Sequence, residues 1–383
     1  MIISHIKLKN WKNFTDVDID LKDRMFLVGP NASGKSNLID AFRFLRDIAK
    51  DGGGLQQAIT DRGGISKIRC LSDRGNTEIT IKIHLSEVGS PNPKWKYEIV
   101  IDNKTVQDKY ILRHERVWKG EELIVDRPNE KDKKNDKFLE QTFLEQKNAS
   151  EEFWDIVEYL EKIHYQHLLP QFLQYPQAFS GSELSGDPFG RGFLERLSKT
   201  PEKTRKSRLN KIDKALRIAA PQLKELRYSN ETGNPHLEAK CIHWRANAAR
   251  QNEKQFSDGT LRMIGMLWAL LEGDGLLLLE EPELSLNAGI IAKLPVIIYK
   301  IQKQKKRQVI MTTHSVNLLQ DTGISPHEIV ILEPDENGTK CIAASSISKI
   351  NAMIDGGMTL ADAIIPMTFP RDTEKIISVL YYL

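Results

Sequence analysis

The sequence predicts an α/β fold built around buried, largely parallel strands, and three short apolar runs predict it. Residues 25–28, 276–279 and 309–313 each have strand length, and each ends at a polar segment. A run that is apolar at successive positions suits a strand covered on both faces, as parallel strands are. Polar residues at the carboxyl ends of such strands lie where open α/β sheets bind ligands.

The first run continues into Gly29-Pro-Asn31-Ala32-Ser33-Gly34-Lys35-Ser36, and Asn37 opens a stretch with helical spacing through Leu38, Ile39, Phe42, Phe44 and Leu45. Strand, glycine-rich loop and helix in that order give a GxxxxGK[ST] match the context of a P-loop. The loop's N–H groups and the helix N-terminus favour phosphate. Lys35 adds a cation at the β/γ-phosphates, and Ser36 can place its hydroxyl on Mg²⁺. The second run ends in Glu280-Glu281-Pro282-Glu283 and follows Ser257-Asp258-Gly259-Thr260, which precedes an apolar helix over 261–271. Glu280 is expected to hold the Mg²⁺ shell through water, and Glu281 to orient and polarise the attacking water. The third run ends at Thr313-His314-Ser315, which places His314 to contact a γ-phosphate.

The ordered set GPNASGKS, FSDGT, LLLLEEPE and TTHS resembles the ABC-type ATPase head of the RecF/SMC/OLD group. The opening Asn10-Trp11-Lys-Asn-Phe14 is similar to its N-terminal "NF" element. FSDGTLR and EEPELSL bring the chain closer to compact bacterial ATPases of the AAA family. The resemblance covers about 1–65 and 250–320, and the spacing from Ser257 to Glu281 to His314 agrees with it. It implies Mg²⁺-dependent ATP hydrolysis and a homodimer closed around nucleotide. Ser257, Asp258 and Gly259 of one subunit would then face the γ-phosphate bound by its partner. It implies a phosphate-contacting arginine near Arg62, where a solvated turn arginine is the alternative. It also implies a metal-side glutamine, for which Gln166 and Gln171 both stand as candidates. The chain departs from the pattern with Glu280 in place of an aspartate, and with Leu284-Ser-Leu-Asn287, which lacks the usual aspartate or histidine.

Composition narrows the classes. Lys and Arg number 55 against 52 Asp and Glu in 383 residues, a net charge of +3 that excludes a histone-like protein. No apolar run has the length of a membrane span. The 3 cysteines are isolated, which argues against a disulfide framework or a zinc site and for a reducing cytoplasm. Alternation over 77–85, 95–101, 110–117 and 122–125 predicts antiparallel strands. Helical spacing appears over 138–165 and 201–226, a glycine-bearing loop over 181–192, and short helices over 348–355 and 360–365. The expected organisation is an N-terminal ATPase lobe (1–130), a helical insertion (131–235), a C-terminal ATPase lobe (236–345) and a short tail (346–383).

Two basic clusters read mainly as solvated helix faces, with DNA as a further candidate partner: Lys203, Arg205, Lys206, Arg208, Lys211, Lys214, and Lys300, Lys303, Lys305, Lys306, Arg307. No sustained heptads predict coiled-coil arms, and no acidic cluster resembles a TOPRIM module. A head without arms or a nuclease module predicts a separate effector protein, a nuclease, of TOPRIM type in one version. A DNA-repair ATPase of RecF type and an ATP-dependent scaffold are the alternatives.

Overall fold

The computed structural model describes residues 1–73, 75, 77–106, 109–146, 151–178, 187–231, 233–242 and 249–369. Strands β1 (Ile2–Trp11) and β2 (Phe14–Asp20) pair antiparallel, and β3 (Arg24–Val28) leads into the glycine-rich loop. Next come β4 (Ile79–Ser86), β5 (Trp95–Val106), β6 (Lys109–Lys119) and β7 (Glu122–Arg127), which extend the first pair into a sheet of order β2-β1-β4-β5-β6-β7. After β8 (His164–Gln166), the strands β9 (Leu223–Ser229), β10 (His236–Cys241) and β11 (Arg250–Asn252) form a small antiparallel sheet. Finally β12 (Leu277–Glu280), β13 (Val309–Thr313), β14 (Ile329–Asp335) and β15 (Gly338–Ala343) complete a sheet of order β15-β14-β3-β13-β12-β8. In that sheet only the β14–β15 pair is antiparallel.

The two kinds of sheet follow from two kinds of sequence. In β4 the alternation buries Ile79, Ile81, Ile83 and Leu85 completely and leaves Thr80, Lys82 and His84 half-buried, so one face packs and the other meets polar surroundings. In β3 every residue is buried. Successive side chains point to opposite faces of a strand. Met25, Leu27, Leu278, Ile310 and Val330 therefore enter one core, shared with the helix Lys35–Ala49 and the antiparallel sheet. Phe26, Val28, Leu277, Leu279, Val309 and Met311 enter a second core, shared with the helix Asp258–Leu271. The parallel sheet is thus covered on both faces, as its continuous apolar runs require.

Part of the middle of the chain departs from expectation. Residues 138–165 do not make one helix. Within that stretch the α-helix is Trp154–Glu161, and residues 147–150 lie outside the described ones. His164–Gln166 instead becomes an edge strand of the parallel sheet, because pairing with β12 buries Tyr165 against the first core. A strand of the parallel sheet therefore lies inside the 131–235 stretch expected to be helical. The helix expected over 201–226 stops at Ala219, just before Pro221, which cannot continue a helix, and the chain turns into β9. In the 181–192 loop, residues 181–186 lie outside the described residues, as does the tail over 370–383. The tail helices are Ser348–Asp355 and Leu360–Ile364. Among the described residues no helix is long and apolar enough to cross a membrane.

Candidate functional site

The site forms where β3, β12 and β13 end side by side. Past Val28 the chain turns through the glycine-rich loop into the helix Lys35–Ala49. Gly34 has φ 96°, and a Cβ there would fall 2.1 Å from Asn13 Nδ2, so only glycine fits. Asn13, in the hairpin between β1 and β2, braces the loop. Its amide donates to Ser33 O at 3.1 Å and to Thr339 Oγ1 at 2.8 Å, and its Oδ1 accepts from Asn37 Nδ2 at 2.8 Å. The Trp11 indole donates to Asn37 O at 2.8 Å. The resemblance marked this "NF" segment, but its contact with the loop emerges only from the fold. Asn31 and Ala32 are exposed at the loop's tip, whereas Ser33 and Lys35 are buried.

Lys35 Nζ donates to Gly29 O at 3.0 Å and Pro30 O at 2.9 Å. Burial draws its pKa down to about 8, against the pull of Glu281, Glu280 and Glu283. Ser36 donates its hydroxyl to Glu280 Oε1, and Tyr165 donates to Glu280 Oε2 at 2.5 Å. Burial, then the Glu280 charge, raises the Tyr165 phenol above its ordinary range, which keeps it a donor. Glu281 sits in the left-handed region at φ 43°, and its N–H donates to Thr312 Oγ1 at 3.0 Å. This strained turn swings its carboxylate to His314, whose Nε2 lies 3.4 Å from Glu281 Oε1. The contact with His314 holds the Glu281 carboxyl below its ordinary pKa. Glu283 is buried, and its Oε1 accepts from Thr313 Oγ1 at 2.5 Å and from His314 N at 3.2 Å, so it ties the end of β13 to the turn after β12.

Lys35, Ser36, Glu280, Glu281 and His314 are thus brought together. Ser257, Asp258 and Gly259 lie at the start of the helix Asp258–Leu271. Ser257 caps that helix through Thr260 N at 3.3 Å, and Asp258 accepts from Gln171 Nε2 at 3.3 Å. A Cβ on Gly259 would fall 2.4 Å from Ser285 O, so the signature segment rests directly on Leu284–Asn287.

Two expected site residues are placed elsewhere. Arg62 does not face the loop. It donates to Asp40 at 2.9 and 3.0 Å, to Asp47 at 3.0 Å and to Ala58 O at 2.9 Å, which commits most of its N–H groups to an internal ion-pair hub. Gln166 does not join Ser36 and Glu280. It pairs with Leu279 and shares that residue's face of the sheet, while Tyr165 pairs with Leu278 and shares the face of Glu280. Gln166 Nε2 lies 3.2 Å from where a Cβ on Gly265 would stand, against the signature helix. Gln171, the other candidate, is engaged with Asp258. Tyr165, which donates to Glu280, is a residue at the site that the sequence did not mark, because its face is set only by the pairing of β8 with β12. The basic clusters are also partly internal. Arg205 donates to Leu197, Ser198 and Thr200 carbonyls, and Arg208 lies 3.7 Å from Glu272. Arg307 is buried and donates to the Ala269, Glu272 and Gly275 carbonyls at 2.5 Å each.

The donor set fits a hard divalent cation held with nucleotide phosphates. Mg²⁺ takes few protein oxygens beside phosphate, and a serine hydroxyl already touching a carboxylate beside a P-loop provides that pair. Ser36 and Glu280 would hold it.

The family described as "AAA domain, putative AbiEii toxin, Type IV TA system" matches residues 24–320. The DNA replication and repair protein RecF of Clavibacter sepedonicus is 31% identical over 88 residues, 22% of this chain and 22% of that protein. RecF of Bacillus cytotoxicus is 30% identical over 96 residues, 23% of this chain and 24% of that protein. The match therefore spans under a quarter of the relatives' length. Among solved structures, an SMC head bound to the C-terminal winged-helix domain of ScpA is similar with TM-score 0.56 and 14% identity, over 89% of this chain and 98% of that one. An SMC head with an extended coiled coil, bound to the C-terminal domain of ScpA from Pyrococcus furiosus, is similar with TM-score 0.52 and 13% identity, over 92% and 99%.

Proposed function

We propose that this chain, which belongs to the AAA-domain family matched over residues 24–320, is a cytoplasmic head that binds and hydrolyses ATP and pairs with a second copy around the nucleotide. Its fold is that of a P-loop, ABC-type ATPase head of the RecF/SMC group. The observation that carries the reading is the convergence of Lys35, Ser36, Glu280, Glu281 and His314 at the ends of adjacent strands. The loop N–H groups and Lys35 would hold the β/γ-phosphates. Mg²⁺, when bound, would neutralise charge on the phosphate oxygens. Glu281 would accept a hydrogen bond from the attacking water and orient it in line with the leaving oxygen, and His314 would steady Glu281 and meet the γ-phosphate. Ser257, which is exposed, and the half-buried Asp258 and Gly259 stand at a helix N-terminus, a placement that suits the γ-phosphate held by a partner copy.

The function we infer beyond ATP turnover is to couple ATP state to a separate effector, with a nuclease as the proposed kind. A second reading, a head acting directly on DNA, is favoured by the RecF names of its relatives. Gel-shift assays with and without ATP separate the two. Calorimetry with ATP and Mg²⁺ tests the site: Lys35→Ala should weaken binding by about 2–3 kcal/mol, roughly a hundredfold. Parental affinity in that variant would overturn the reading.

A further inference from the structure

We propose that Tyr165 is a positioning residue for Glu280, setting the carboxylate's orientation toward the metal shell. The proposal rests on the nucleotide-site reading above.

Sheet register puts the pair together. β8 and β12 run parallel with Leu278 opposite Tyr165. Glu280 lies two residues beyond Leu278 and so projects from the same face. The helix Lys35–Ala49 packs on that face, and its own periodicity supplies the other two contacts. Ser36 and Arg43, seven residues and about two turns apart, lie on one side of it. Ser36 donates to Glu280 Oε1, and the Arg43 guanidinium stands 4.2 Å from the centre of the Tyr165 ring. Tyr165 completes the arrangement with its 2.5 Å bond to Glu280 Oε2.

Each oxygen of Glu280 therefore has one donor, from two different elements. A glutamate has three rotatable side-chain bonds, and an untethered one would sample several orientations. With Oε2 anchored to a buried phenol, the carboxylate plane is fixed and Oε1 is directed at Ser36. Arg43 holds the ring from above through its charge and is itself fixed by Asp40 at 3.7 Å. Loss of a partner that orients a metal-side ligand in this way typically costs about ten- to a hundredfold in metal affinity or activity.

The test is a fluorescent-ATP binding titration against Mg²⁺, read also in EDTA. Tyr165→Phe keeps the ring and removes the hydroxyl. It should raise the Mg²⁺ concentration for half-maximal enhancement by about tenfold and leave metal-free affinity unchanged. Arg43→Gln, a second variant that spares the core, should shift it the same way by about threefold. Glu280→Asp, one methylene shorter, should no longer reach the phenol, so adding Tyr165→Phe to it should change nothing further. A parental Mg²⁺ response in Tyr165→Phe, or an equal Tyr165→Phe shift on the Glu280→Asp background, would overturn the proposal. Lys35→Ala in the same assay separates the two levels. If it loses nucleotide while Tyr165→Phe responds like the parent, only the positioning role fails; if it binds like the parent, the site reading itself fails.

Discussion

Lys35 makes the clearest pH prediction. Its free-protein pKa of about 8 lies far below the ordinary lysine value because burial disfavours the charged form. Phosphate binds the ammonium, so ATP binding above that pKa must take up a proton. Affinity is expected to be flat below about pH 7.5 and to fall by at most about tenfold per unit above about pH 8. Nucleotide titrations across that range check it, and an unchanged affinity up to about pH 9.5 would contradict it. At Glu281, the left-handed backbone and the His314 contact hold the carboxylate for the proposed role toward water, which an amide would fill poorly. Glu281→Gln should keep ATP affinity within about threefold yet slow turnover by roughly a hundredfold or more. Steady-state phosphate release measures this, and parental turnover would assign the water to another group.

At the scale of elements, Arg62 ties the turn after the helix Leu55–Thr60 to two acids on the helix Lys35–Ala49. The Asp40 and Asp47 side chains are only 8% and 9% exposed, and without Arg62 each would keep other cations, Lys12 and Arg43 at Asp40 and Arg46 and Lys50 at Asp47, so its removal weakens the hub without stranding a charge. Arg62→Ala should lower stability by about 1.5–3 kcal/mol in urea unfolding, the scale of lost hydrogen bonds to charged groups. The folded fraction should keep its ATP affinity, whereas a phosphate-contacting arginine would lose affinity first. The signature segment bears on pairing. Ser257→Arg and Lys35→Ala, each inactive alone, should regain activity when mixed, because one composite site in the heterodimer is intact; absence of rescue with heterodimers verified would exclude a shared site. Elements also set what could be read in advance. The antiparallel strands were legible because alternation recurs over many residues, and the loop and acids because their chemistry demands particular residues. β8 was not, because three residues carry no periodicity and its strand state comes from pairing with β12. Arg62 and Arg307 were not, because a buried arginine is defined by carbonyls and acids distant in sequence, such as Ala269 and Asp40.

For the whole molecule, the two cores divide labour. One joins the antiparallel sheet to the P-loop helix, and the other joins the parallel sheet to the signature helix and the helices after β8. Glu283 ties the end of β13 to the turn after β12, and Arg307 ties the start of β13 to the end of the helix Asp258–Leu271. The coupling to a separate effector predicts that the purified chain hydrolyses ATP but leaves plasmid, linear duplex and RNA uncut with Mg²⁺ or Mn²⁺; robust cleavage that tracks the purified chain would contradict it. The central claim is that ATP closes two heads on each other and hydrolysis opens them. It is tested most directly by the molar mass of Glu281→Gln in light scattering with saturating ATP and Mg²⁺. The account predicts a dimer with ATP and a monomer without it; a monomer with ATP demonstrably bound would contradict it.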